Sequence, residues 1–183
     1  MELKGISFIL IKDFVEKALG PKALEKVLEK VSPETREVFQ KPKKYVFYPW
    51  RAYVEFERAL VDEAFSADPR AARKIGAMVA QRALKREYRL VFSRFRRPTD
   101  AVQKIQLLWN LYLRPGRIEA EKVKDTYWTV RLWDVDEPIP DVYAEHLAGW
   151  FEEVLKHFGA KKVRISWERK GEREILFHAM WES

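Results

Sequence analysis

The first 115 residues carry apolar side chains at intervals of three and four positions, the spacing of helices that bury one face. One such segment stops at Gly20, and Pro21 opens the next one. Glycine readily ends a helix and proline fits its first position, so both residues support these boundaries. The pattern predicts helices over residues 3–19, 21–31, 49–65 and 68 to about 92, one more after an N-cap at Ser32, and a last one from Thr99 or Asp100 to Tyr112.

After Gly116 the period of the pattern changes. Tyr127, Thr129 and Arg131 alternate with apolar neighbours, which is typical of a β-strand. The same reasoning predicts strands over residues 117–123, 127–132, 161–168 and 173–181, and a helix over 138–158. We therefore expect an α+β fold in a single domain over residues 1–183, with a helical part over 1–115 and a β-β-α-β-β part over 116–183.

The composition fits a folded domain without covalent cross-links. Hydrophobic residues make up 47% of the chain and aromatic residues 14%, enough for a large core. Cysteine is absent, which excludes disulfides, thiolate metal sites and cysteine nucleophiles. No apolar run approaches the roughly 20 residues of a membrane span, and we expect a cytoplasmic protein. The abundance of charged residues is typical of a thermophilic source.

Charge is distributed unevenly along the chain. The net charge is +7; residues 70–97 hold ten basic residues against one acidic residue, whereas residues 134–153 hold seven carboxylates and no Lys or Arg. Oppositely charged faces attract a partner or each other. We expect the basic face to contact a protein partner or a second copy in a homodimer. This predicted interaction face consists of Arg82, Lys85, Arg86, Arg89, Arg94, Arg96 and Arg97.

Two other interpretations of the basic segment stay open. Aromatic residues interleave with its arginines over residues 82–97, a combination that can bind nucleic acid. No helix-turn-helix signature accompanies it, so nucleic acid is the less favoured partner. The segment can also be a solvated helix face without a partner.

Several short features, in this order, resemble heme–nitric-oxide-binding (H-NOX) domains. They are the Lys4-Gly5 start, the helix ending at Gly20 and Tyr48-Pro49 before a helix. The resemblance is closer to the myxobacterial heme-NO-binding-like family of unknown function, which shares Tyr48-Pro49, the helix with Gly76, Trp109 followed by Gly116, and a last strand ending in Trp181. Relatives of that family include 4-vinyl reductase-like domains and TRAPP subunits. It implies helices packed on a four-stranded antiparallel sheet with one crossing helix, a ligand pocket between them, and a role in sensing or assembly.

The resemblance also implies where a heme would be held. In H-NOX domains the axial histidine lies on the helix before the sheet, and the matching stretch here, Ile105–Tyr112, contains no histidine. Trp109 cannot ligate iron, because its indole nitrogen is only a hydrogen-bond donor. Tyr112 belongs to a rarer class of heme ligand. We therefore expect no cofactor and, in particular, no heme.

Residues 127–131, Tyr-Trp-Thr-Val-Arg, resemble the Tyr-x-Ser-x-Arg motif with which H-NOX domains bind the heme propionates. A period of two places Tyr127, Thr129 and Arg131 on one strand face, where an arginine and two hydroxyls can bind a carboxylate. An ordinary polar strand face is the alternative. The predicted ligand-binding residues are these three with Trp109 and Tyr112, and the predicted ligand is a small apolar molecule, a carboxylate or a lipid-like acid.

Motifs for catalysis or metal binding are missing from the sequence. His146 and His157 share a predicted helix but lie roughly 16 Å apart along its axis, too far for one metal ion, and His178 has no visible second ligand. No glycine-rich phosphate loop is present. We expect a non-enzymatic domain that senses a small ligand or a protein partner. A heme or gas sensor with an atypical ligand, and a nucleic-acid-binding module, are the alternatives.

Overall fold

The computed structural model describes residues 1–68, 70–86 and 95–182. Helices come first and the main sheet second, which confirms the predicted α+β class. The described residues form eight helices and seven strands: β1 (Glu2–Lys4), α1 (Gly5–Ala18), α2 (Pro21–Glu29), α3 (Pro33–Gln40), β2 (Phe47–Pro49), α4 (Trp50–Ala64), α5 (Arg70–Arg86), α6 (Pro98–Gln103), α7 (Ile105–Tyr112), β3 (Leu113–Arg114), β4 (Arg117–Lys124), β5 (Tyr127–Trp133), α8 (Asp141–His157), β6 (Lys161–Gly171) and β7 (Glu174–Glu182).

Several helix boundaries lie at the glycine and N-cap residues that the sequence analysis identified. Gly20, at a φ of 90°, lies between α1 and α2, and Ser32 Oγ accepts a hydrogen bond from the N–H of Thr35 at the start of α3. The single helix predicted to end at Tyr112 is instead two helices, α6 and α7, separated at Lys104. The predicted extension of α5 toward residue 92 lies outside the described residues. Within the described ranges, no helix combines the length and apolar composition needed to cross a membrane.

The main sheet has four antiparallel strands, as the resemblance implied, and their order is β4-β5-β7-β6. Its inner face packs on α8, where Phe151 contacts Phe177 of β7 edge-on with ring centroids 5.1 Å apart. Along β5, Trp128, Val130 and Leu132 are buried on this inner face. The residues between them therefore lie on the outer face of the sheet, away from the core.

A second, smaller sheet in the order β2-β1-β3 was not predicted. Its strands have three, three and two residues, too few to show an alternating pattern. Leu3 in β1 pairs with Tyr48 of β2 on one side and with Leu113 of β3 on the other. This sheet therefore holds the start of the chain against the junctions that lead into α4 and out of α7.

Helices α5 and α8 touch through their backbones, because each has a glycine at the contact. A Cβ atom on Gly76 would overlap the carbonyl oxygen of His146, and one on Gly149 would overlap the carbonyl oxygen of Arg73. Larger residues at these positions would separate the two helices. The glycine contact thereby sets the depth at which the first half of α8 lies in the core.

Glu145 connects this helix pair to the main sheet. Its carboxylate accepts a hydrogen bond from Arg73 Nε of α5 at 2.7 Å and another from Trp167 Nε1 of β6 at 2.8 Å. Arg73 also donates to the carbonyl oxygen of Ile165 at 2.8 Å. Hydrogen bonds to a charged acceptor are stronger than neutral ones. Residue 145 of α8 is thus fixed from both sides, directly next to His146.

The start of α3 is fixed by a carboxylate from α4. Glu55 accepts hydrogen bonds from the N–H of Ser32 at 2.6 Å, from Ser32 Oγ at 2.8 Å and from Thr35 Oγ1. Burial pushes the pKa of Glu55 upward, but the hydrogen bonds from Thr35 and Ser32 outweigh it and hold that pKa below its ordinary value. The ionised carboxylate is therefore the form that stabilises the fold.

We expect Glu55→Gln to lower the free energy of unfolding by about 1–2 kcal/mol at pH 7, because charged acceptors make the stronger hydrogen bonds. Because the pKa of Glu55 is lower in the folded state, the ionised side chain stabilises the protein at pH values above its unfolded-state pKa of about 4.3. This stabilisation is lost as the pH falls through the lower folded-state pKa. The difference between native protein and variant should therefore shrink in acid. Urea titrations at several pH values measure it, with the exposed Glu25→Gln on α2 as the control; a pH-independent difference would contradict the assignment.

Candidate functional site

A cavity of about 90 Å³ lies where the helical half meets α8. Side chains from β1, α1, α4, α5, α7, β3 and α8 line it, and most are apolar or aromatic. Apolar walls with a few polar groups are the usual composition of small-molecule sites. The lining residues that carry a polar atom in the side chain are Ser7, Tyr53, Trp109, Tyr112, Tyr143, His146 and Trp150.

The inner wall of this cavity holds a buried histidine–glutamate pair. His146 Nδ1 of α8 lies 2.6 Å from Glu57 Oε1 of α4. The side chain of Glu57 has no exposed surface and that of His146 is 6% exposed. One proton lies between these two atoms, in a hydrogen bond that joins α8 to α4. Nε2 makes no hydrogen bond to any residue in the described ranges.

Aromatic rings surround the imidazole and restrict its orientation. The Tyr143 ring lies nearly parallel to it at 5.8 Å between centroids, and the Tyr53 ring packs edge-on at 5.6 Å. Trp50 in turn packs edge-on against Tyr143 at 5.0 Å. His146 is thus held by a hydrogen bond at one nitrogen and by rings on its faces and edges.

Burial dominates the electrostatics of this wall. It raises the pKa of Glu57, while the neighbouring His146 imidazole acts in the opposite direction. The second carboxylate oxygen, Oε2, has no hydrogen-bond partner among the described residues. Burial also raises the pKa of Tyr143, so that its phenol stays protonated at neutral pH. Among the side chains of this wall, the imidazole of His146 is the one that most commonly ligates metal ions.

A wider surface groove of about 1140 Å³ runs between α3, α4 and residues 138–140. Its lining includes the exposed side chains of Lys30, Arg58 and Asp62. These polar groups do not enclose an apolar ligand. The smaller cavity beside His146 combines apolar walls with a held polar group and is therefore the candidate site.

The five residues predicted to bind a ligand do not lie together. Trp109 and Tyr112 line the cavity. Tyr127, Thr129 and Arg131 lie on the outer face of the sheet, because the apolar set of β5 occupies the inner face. The structure therefore does not bring the five residues into one site, and the ligand-binding role of each residue stays a prediction.

On the outer face these residues have other contacts. Arg131 Nε bonds Glu174 of β7 at 2.7 Å and its guanidinium lies over the Trp133 ring. The hydroxyl of Tyr127 lies 2.9 Å from Nδ1 of His178. These are contacts of an ordinary polar strand face, which was the alternative interpretation of the motif.

The predicted basic interaction face is only partly described. Arg82 is half-buried, with its guanidinium 5.4 Å from the centroid of the Phe14 ring, whereas Lys85, Arg96 and Arg97 are exposed. A contact with a partner through these exposed residues stays a prediction. Outside the described residues lie the side chain of Arg86 and the whole of Arg89 and Arg94.

The sequence analysis missed the role of His146 and Glu57, although their spacing contained the signal. His146 lies one turn before Trp150 and next to Leu147 on the inner face of α8, and Glu57 lies one turn after Tyr53 on the buried face of α4. A lone polar residue within each apolar stripe points to a buried polar contact between the two helices. In the described ranges, no three His, Asp or Glu side chains come together as a metal site.

Solved structures of H-NOX proteins share this fold over nearly the whole chain. The Fe(II) unliganded H-NOX protein from K. algicida is 14% identical, with a TM-score of 0.77 over 99% of this chain and 97% of its own. The H-NOX protein from S. oneidensis in its Fe(II)NO ligation state is 17% identical, with a TM-score of 0.74 over 99% and 100%. No family model and no curated protein matches the sequence. The predicted resemblance to H-NOX proteins is confirmed at the level of the fold.

The expectation that the chain carries no cofactor is wrong in the light of these structures. The structures from K. algicida and S. oneidensis are Fe(II) forms. A further structure of the same fold comes from work that probes heme distortion in the H-NOX family. It is 12% identical, with a TM-score of 0.75 over 99% of this chain and 96% of its own. The expectation rested on the lack of a histidine in Ile105–Tyr112. The cavity beside α7 nevertheless contains an imidazole, because α8 supplies His146.

Proposed function

Because the chain has the fold of H-NOX proteins, we propose that it is a non-enzymatic gas-sensing domain that binds heme in the cavity between the helical half and α8. The observation that carries this proposal is a buried imidazole, His146, in the wall of an apolar cavity at that position. Imidazole is the axial ligand of the globins and peroxidases. This is the heme-sensor alternative of the sequence analysis, with the ligand on another helix.

The walls of the cavity have the composition of a heme site, but its volume does not fit a heme. Its walls are largely aliphatic and aromatic, which suits a porphyrin. A volume of about 90 Å³ corresponds to roughly three water molecules, far less than a porphyrin ring occupies. A heme-bound form would therefore have to be more open than this structure. Of the half-buried lining residues Ser7, Tyr112 and Trp150, Trp150 has the largest side chain.

When bound, heme would supply an iron centre at which a diatomic gas can coordinate. The residues of the chain would orient the ligand and transmit its state. His146 directly follows Glu145, which bonds Arg73 of α5 and Trp167 of β6. A shift of His146 would therefore move α5 and the main sheet together, because packed elements respond as units. A structural change at the cavity would thereby reach elements at the surface of the domain.

Reconstitution of the purified protein with hemin tests the proposal. We expect one heme per chain and a Soret band. Trp150 lines both the cavity and a neighbouring void of about 20 Å³, so Trp150→Ala joins the two spaces. Since less rearrangement is then required, we expect this variant to bind heme about tenfold more tightly than the native protein.

The matched control is Trp133→Ala, which removes the same side chain from the outer face of the sheet and should leave heme affinity unchanged. Trp150→Ala also costs about 3–5 kcal/mol of stability, so circular dichroism must show that it is folded. A native protein that binds no heme would overturn the proposal. Equal effects of the two tryptophan variants would place the heme outside this cavity.

A further inference from the structure

The segment between α3 and β2 exposes lysines beside apolar side chains. Lys41, Lys43 and Lys44 are exposed, and the next two residues, Tyr45 and Val46, are 73% and 42% exposed. No acidic residue occurs between positions 41 and 49. We propose that this part of the surface binds an anionic lipid bilayer, with Tyr45 and Val46 at the level of the lipid headgroups.

The backbone of this segment is held against the start of α1. The N–H of Gly5 donates a hydrogen bond to the carbonyl oxygen of Val46 at 2.7 Å. The next N–H, that of Ile6, donates to the carbonyl oxygen of Lys44 at 3.1 Å. A Cβ atom on Gly5 would overlap the carbonyl oxygen of Lys43, so the two backbones lie in direct contact. The exposed side chains are therefore displayed from a fixed backbone, and binding to a surface costs little conformational entropy.

Three aromatic rings surround the ammonium group of Lys4 beside this segment. Its Nζ atom lies 5.7 Å from the centroid of the Tyr45 ring, 6.0 Å from that of Phe47 and 5.6 Å from that of Tyr112. Lys4 forms no ion pair with a carboxylate among the described residues. With its neighbours it forms one surface, the lysine–aromatic face, which consists of Lys4, Lys41, Lys43, Lys44, Tyr45, Val46, Phe47, Tyr112 and Arg114.

The charge of the lysine–aromatic face complements an anionic bilayer. Four lysines and Arg114 give it five cationic side chains, and the neighbouring Glu2 is paired with Arg114 at 2.9 Å. Clusters of basic residues bind anionic lipids, and each residue near the surface strengthens binding about fivefold. Tyrosine rings and the apolar stems of lysine are suited to the headgroup region, because each joins an apolar body to a polar end.

The ring faces favour a lipid surface over single-stranded nucleic acid. Bases bind proteins by stacking on aromatic ring faces. The ring of Tyr45 already carries the ammonium groups of Lys4 and Lys44, the latter at 5.4 Å from its centroid. The ring of Phe47 carries the guanidinium of Arg114 at 3.9 Å. A bilayer needs no open ring face, because its headgroups contact the cations and the exposed ring edges.

Sedimentation of the heme-free protein with lipid vesicles tests the proposal. We expect binding to mixed vesicles of phosphatidylserine and phosphatidylcholine, no binding to phosphatidylcholine alone, and weaker binding at high salt. Lys41→Gln/Lys43→Gln should weaken binding about 25-fold, the product of two fivefold losses. Tyr45→Ala/Val46→Ala should weaken it about tenfold, because the variant loses apolar groups that enter the interface.

The matched control for the lysine variant is Lys22→Gln/Lys30→Gln, which removes the same charge from two exposed positions at the ends of α2. It should change binding less than about twofold, since charges away from the contact are screened. Circular dichroism must show that all variants are folded. Equal losses in the two lysine variants would mean that net charge alone drives binding, and they would overturn the proposal.

Two further results would also overturn the proposal. One is the absence of binding to the mixed vesicles, or binding that does not depend on phosphatidylserine. The other is binding of oligothymidylate that both face variants abolish while no vesicle is bound, which would assign the lysine–aromatic face to nucleic acid. Because the protein is tested without heme, a failure to bind heme leaves every one of these outcomes unchanged.

Discussion

Gly76→Ala is expected to lower the free energy of unfolding by about 3 kcal/mol or more. The added Cβ atom would overlap the carbonyl oxygen of His146, which is backbone in the middle of α8 and cannot turn aside as a flexible side chain can. Overpacking of a dense core costs about 1–3 kcal/mol, and more when backbone must shift. The intrinsic helix preference of alanine over glycine, about 1 kcal/mol, offsets only part of this loss.

Gly171→Ala is the matched control, since the nearest atom to its added Cβ is 3.9 Å away, an ordinary contact. This variant should stay within about 0.5 kcal/mol of the native protein. Gly149→Ala should lower the free energy of unfolding about as much as Gly76→Ala. The double variant should lose less than the sum of the two single losses, because moving α5 away from α8 once relieves both overlaps. Guanidinium unfolding curves measure all four proteins; a neutral Gly76→Ala would disprove the backbone contact.

The spacing of apolar residues along the chain predicted most of the fold, because an element that buries one face repeats apolar residues at its own structural period. The alternation from Tyr127 onward gave β5, and the stripe containing Leu147 and Phe151 gave α8, since each element buries one face. The break between α6 and α7 at Lys104 was not predicted, because the apolar spacing continues through it. The small sheet was missed for the opposite reason, since strands of two or three residues have no period.

The candidate site was less predictable, because it depends on which elements meet. Strand period correctly placed Tyr127, Thr129 and Arg131 on one face, but only the packing of β5 on the helices shows that this face points away from the cavity. Glu57 and His146 are 89 residues apart. Each interrupts an apolar stripe in its own helix, and the sequence alone does not say that the two interruptions face each other.

We expect the buried Glu57–His146 pair to be stable as a pair and costly to break. His146→Leu should lower the free energy of unfolding of the heme-free protein by about 3–5 kcal/mol at pH 7, because it leaves a fully buried carboxyl without its partner. Glu57→Leu should cost less, since a buried polar group without its hydrogen-bond partner costs only about 1–3 kcal/mol. The larger cost falls on the carboxyl because its Oε2 atom already lacks a described partner.

The double variant Glu57→Leu/His146→Leu should recover most of this loss, because a well-packed apolar pair can replace a buried polar pair at little cost. The cycle should give a coupling of about 2 kcal/mol or more by denaturant unfolding. The exposed Arg131–Glu174 pair is the control, and its leucine cycle should give no more than about 1 kcal/mol. Additive effects at Glu57 and His146 would mean that the two side chains do not share a hydrogen bond, and the orientation of the imidazole would then have to come from the surrounding tyrosine rings alone.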